Sequence, residues 1–98
     1  MLRKDWEDLD NNGQKGDWAF VQSSSGIPMI VVRFGNDAML DCAVLYIDKE
    51  KAPAGYPVWN WNGDKENPTL TPSILVRGEN GKPARWHGFL TNGKLIEC

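Results

Sequence analysis

Two tryptophans alternate with two asparagines in Val58-Trp59-Asn60-Trp61-Asn62-Gly63-Asp64, and Pro68-Thr69-Leu70-Thr71-Pro72 then leads into Ser73-Ile74-Leu75-Val76. On a strand, a period of two puts both rings on one face and both amides on the other. A small domain rarely exposes two such rings without reason, so the segment is either a core anchor or a recognition surface. The core reading carries more weight. Asparagine is a poor strand residue, so Asn62 is expected to tie down the turn at Gly63-Asp64, with Asn62 to Asn67 as an ordered loop.

Elsewhere the apolar runs are short and closed by turn residues. Trp18 to Gln22, Pro28 to Phe34, Met39 to Ile47, Pro72 to Arg77 and Ala84 to Leu90 all read as strands. Asp41 and Cys42 fall inside the third, on opposite faces. Asn92-Gly93 predicts a two-residue type I′ hairpin at the end of the chain, because both central residues of that turn need positive φ. Leu2 to Leu9 has room for one short helix docked through Trp6. The expected fold class is mainly β: a small antiparallel sandwich or open barrel of about six strands.

Ninety-eight residues make a single domain, 1–98. Five tryptophans can anchor its core without disulfide help. Eleven basic residues against thirteen acidic ones leave a net charge of −2, too balanced for a non-specific nucleic-acid binder. No apolar run reaches the length of a membrane span, and the N-terminal residues lack a signal-peptide pattern, so a cytoplasmic protein with two reduced thiols, Cys42 and Cys98, is expected.

Linear signatures of catalysis are sparse. His87 is the only histidine, no Gly-x-Ser-x-Gly elbow occurs, and Ser23 to Ser25 read as loop. A lone histidine in a strand is usually structural, so no catalytic residue is assigned. Neither a Cys-x-x-Cys nor a His-x-x-x-His pair offers half of a metal site, so neither metal nor cofactor is expected. The rings of Trp59 and Trp61 invite base stacking, but Asp64 and Glu66 flank them with only Lys65 between.

Three segments together are similar to a family of small proteins common in phages and prophages, without settled function and sometimes labelled ammonia monooxygenase. They are Trp18-Ala19-Phe20, the Asn62 to Val76 motif, and Trp86-His87-Gly88-Phe89 with Asn92-Gly93-Lys94-Leu95. The resemblance implies zinc ligands at a Cys-x-x-Cys, a Cys-His pair and a later histidine. Here the first pair falls on Gln22 and Ser25, Trp86 stands before His87, and the chain ends at Cys98. The resemblance therefore implies a shortened relative that has lost its metal site.

Together these readings lead to an expected function: a non-enzymatic phage or prophage accessory protein that binds a host or defence-system protein, such as a CRISPR effector, and inhibits it. Its partner would be met by Asp48, Lys49, Glu50 and Lys51 and by Asn62, Asp64, Lys65 and Glu66. The alternative is a degenerate zinc-module enzyme or nucleic-acid-binding protein using His87 with Asp41 or Asp64. A homodimer joined through a sheet edge also stays open.

Overall fold

A computed structural model describes residues 2–37, 40–78 and 81–98. Among them the order is β1 (Leu2–Arg3), α1 (Trp6–Asn12), β2 (Trp18–Gln22), β3 (Pro28–Arg33), β4 (Cys42–Tyr46), β5 (Asn60–Trp61), β6 (Leu70–Thr71), β7 (Ile74–Val76), β8 (Trp86–Thr91) and β9 (Lys94–Glu97). The strands form a sheet β1-β2-β3-β4, a short pair β5-β6 and a sheet β7-β8-β9. Pairing is antiparallel apart from β1 with β2 and a single parallel bridge between Tyr46 and Val58. The chain is mainly β with one short helix, as its turn spacing predicts, and the sheets do not close into a barrel.

β3 is the middle of the molecule. Ile30, Val31 and Val32 are all buried, which fits a β-branched run covered on both faces. Toward one side, Trp18, Ile30, Val32, Phe34 and Leu45 meet Leu70, Ile74, Trp86 and Leu90 from the other two sheets. Toward the opposite side, Ala19 and Val31 receive Leu9 of α1. The first sheet is thus sandwiched between a helix and the remaining strands.

The helix differs from the expected one. Leu2 and Arg3 pair with Trp18 and Ala19 instead of starting a helix, and Asp5 caps α1 by accepting the Asp8 N–H at 2.8 Å. It docks through Leu9, while Trp6 is 42% exposed. Similarly, Met39 lies outside the described residues, and the strand placed over Met39 to Ile47 is reduced to Cys42–Tyr46. Asp41 lies outside that strand and pairs with Arg85.

The Asn92-Gly93 turn has both φ angles positive, 49° and 75°, as its sequence requires. Its tip is fixed by tertiary bonds: Trp18 Nε1 donates to Gly93 O at 2.9 Å, and Gly93 N donates to Pro68 O at 2.9 Å. The hairpin therefore holds β8 and β9 against both other sheets.

Candidate active site

The Asn62 loop is built as its sequence suggests. Asn62 Oδ1 accepts the Asp64 and Thr69 N–H groups, and its amide nitrogen donates to Asn67 O. Asp64 Oδ1 accepts from Glu66 N and Asn67 N. The adjoining rings are not the deep core. Trp18 and Trp86 fill that role, while Trp59 and Trp61 are partly buried at its margin, Trp61 lying 5.3 Å from the Phe20 ring. Pairing of Asn60 with Thr71 and of Trp61 with Leu70 then delivers the chain through Pro72 to Ser73.

Ser73 meets His87 at this point. Ile74 pairs with Gly88 and Leu75 with His87, so Ser73, one residue before β7, lies diagonal to His87 on the same face of the sheet. Ser73 Oγ and His87 Nε2 are 3.0 Å apart. With the imidazole neutral and its Nε2 unprotonated, the serine hydroxyl donates to that nitrogen, which is the arrangement of a nucleophile and its base. The histidine is solvent-exposed and the serine half-buried. Leu75, Phe89 and Ile96 stand exposed on the same sheet face.

Two hydrogen bonds to their backbone carbonyls hold the pair in place. Cys98 N donates to His87 O at 2.9 Å, and Trp59 Nε1 donates to Ser73 O at 3.3 Å. Trp59 also lines a hollow of about 670 Å³ together with Trp61, Tyr56, Ile47 and Lys49. A second hollow, of about 450 Å³, lies between Trp6, Phe20, Met29, Trp61 and Lys65.

Asp41 and Asp64, the carboxylates matched with His87 on sequence grounds, are engaged elsewhere. Asp41 Oδ1 accepts from Arg85 at 2.6 Å, and Asp64 caps its own loop. Asp48 Oδ1 accepts from Glu50 N and Lys51 N, closing a local turn. Ser23 Oγ likewise accepts from Ser25 N and Ile27 N within the β2–β3 loop. Of the residues expected to meet a partner, Lys49 and Lys65 each line a hollow, and Glu50, Lys51, Asn62, Asp64 and Glu66 face solvent. No group of three or more potential metal ligands occurs among the described residues. Nor is any helix among them long and apolar enough to cross a membrane.

A mainly β domain that presents a hydrogen-bonded serine and histidine on an open sheet face has two of the groups that a nucleophilic hydrolase uses. The sequence model of BubE, described as a bacterial ubiquitination-like system serine protease, matches residues 35–98, or 64 of the 98. The chain belongs to this family. The match takes in the Asn62 to Val76 motif and both members of the pair. No curated protein and no solved structure matches the chain.

This family overturns the expectation of a non-enzymatic binding protein that inhibits a defence system. Ser73 was not singled out from the sequence because nothing local marks it. It follows a proline, not an elbow glycine, and meets His87 only through strand pairing. The available signal was the hydroxyl at the head of a β-branched run, two strands' length from the sole histidine.

Proposed function

We propose that this chain is a serine peptidase acting within a bacterial ubiquitination-like system, with Ser73 as nucleophile and His87 as general base. The observation that carries the reading is the 3.0 Å contact between Ser73 Oγ and His87 Nε2. The family description supplies the setting. Substrates would be peptide or isopeptide bonds formed in that system.

The chemistry follows from the pair. His87 Nε2 takes the hydroxyl proton as Ser73 Oγ bonds to the carbonyl carbon of the scissile amide. The tetrahedral intermediate collapses when the imidazolium gives that proton to the leaving nitrogen, which breaks the C–N bond. A water molecule, deprotonated by the same imidazole, then attacks the ester and returns Ser73 to its hydroxyl form. The Trp59 and Cys98 bonds anchor the backbone carbonyls of the two residues.

A fluorophosphonate probe tests this without knowledge of the natural substrate. Wild-type protein should be labelled at Ser73, located by peptide mass spectrometry. Ser73→Ala should abolish labelling, and His87→Gln should slow it by at least about 100-fold with the melting curve preserved. Labelling that persists in Ser73→Ala, or none in the wild type, would remove the proposal.

A further inference from the structure

The strand geometry shows where a substrate chain would run. Cys98 N bonds to His87 O, so the backbone of His87 points toward β9 and that of Gly88 toward β7. Ile74, paired with Gly88, therefore turns its backbone inward, and Ser73 and Leu75 turn theirs toward the outer edge of β7. Trp59 Nε1 meets Ser73 O on that edge. β7 is the outermost strand of its sheet, so an extended peptide can lie along it by strand addition. At the level of the nucleophile such a peptide meets Trp59, whose ring is also a wall of the 670 Å³ hollow.

That hollow has a definite chemistry. Tyr56, Trp59 and Trp61 supply three aromatic walls, Ala54 and Gly55 leave its rim low, and Lys49 is its one charged lining residue among the described residues. Its volume lies within the range of small-ligand sites, larger than one side chain needs. We infer that this hollow is a substrate subsite that takes a large apolar side chain of the peptide, with a neighbouring acidic residue directed to Lys49. The inference rests on the peptidase reading for its orientation but predicts binding that needs no catalysis.

The test uses Ser73→Ala protein and blocked hexapeptides that differ only in carrying Glu-Phe, Lys-Phe or Glu-Ser, with binding followed by intrinsic tryptophan fluorescence. Glu-Phe should bind best. Replacing its Phe with Ser should weaken binding by about tenfold or more, and replacing its Glu with Lys by about fivefold. Adding Lys49→Glu should reverse the Glu/Lys order. Ala54→Trp, at an exposed rim position, should weaken all aromatic peptides while leaving the melting curve unchanged. Equal binding of the three peptides, no binding at all, or an order unaffected by Lys49→Glu would overturn the subsite. Fluorophosphonate labelling of the protein with Ser73 and Lys49 intact separates the two ideas. Labelling of Ser73 without peptide preference leaves the peptidase and removes the subsite, whereas preference without labelling does the reverse.

Discussion

Two charged side chains are drawn into the protein to serve its backbone. Arg33 is 8% exposed and donates to four carbonyls: Leu9, Gly13, Gly35 and Asn36. In this way a strand residue supplies the positive charge that the last turn of α1 lacks. Asp17 is 6% exposed and accepts from Arg3 Nε at 2.8 Å and Gln14 N at 2.9 Å. Burial by itself would raise its pKa, but the net shift is below the ordinary value of 3.8, with the Arg3 and Gln14 bonds foremost among the interactions that lower it. A depressed folded pKa means that the carboxylate stabilises the fold above its unfolded pKa and stops doing so as pH falls through the folded one. Asp17→Asn should therefore cost about 1.5–3 kcal/mol at pH 7. In urea melts the gap between variant and wild type should narrow below about pH 4; a gap independent of pH would show that charge is not the cause. Burial, followed by the charge of Asp10, pushes the thiol of Cys42 upward; Cys42 is half-buried, Cys98 is exposed, and no disulfide joins them.

At the scale of elements, the sheet β7-β8-β9 depends on a glycine beside its histidine. A Cβ on Gly88 would lie 2.3 Å from Ile96 O and 2.6 Å from the Trp86 ring. Trp86 folds across Gly88 into the core and stacks on Phe34, with centroids 5.9 Å apart. Alternation then leaves His87 and Phe89 on the open face while Trp86, Gly88 and Leu90 are buried. Gly88→Ala must move a backbone carbonyl or the ring, and is expected to cost about 1–3 kcal/mol. Because the β8 register positions His87, the same change should also slow fluorophosphonate labelling at temperatures where the protein remains folded. A variant with wild-type melting and labelling would refute this account of the sheet.

Across the whole molecule, the five tryptophans divide by depth. Trp18 is 2% exposed, packs edge-on against Phe20, and holds the tip of the last hairpin through Gly93 O. It touches the interior and a distant loop at once, so Trp18→Ala should cost about 3–5 kcal/mol, a large part of a small domain's stability. Trp6, at 42% exposure, should tolerate the same change within about 0.5 kcal/mol. Thermal or urea denaturation of the two variants checks the contrast, which would collapse if Trp6→Ala were the more damaging. Trp59 belongs to neither class: it is partly packed, bonds to Ser73 O, and forms a wall of the hollow.

By itself, the sequence determined what is local. Turn chemistry and alternation specified the Asn92-Gly93 hairpin, the strand Trp18–Gln22, the Asn62-tied loop and the mainly β class, since each depends on backbone preferences within a few residues. Tertiary structure alone decided which strands became neighbours. It placed Ser73 against His87 through the β7–β8 register, and it turned Asp41 to Arg85 rather than to the histidine. It also moved the deepest burial from Trp59 and Trp61 to Trp18 and Trp86. Pairing across a long connection depends on how whole sheets pack, a cooperative balance of burial that no single stretch encodes. Ser73 and His87 are separated by fourteen positions in the chain and by 3.0 Å in the fold.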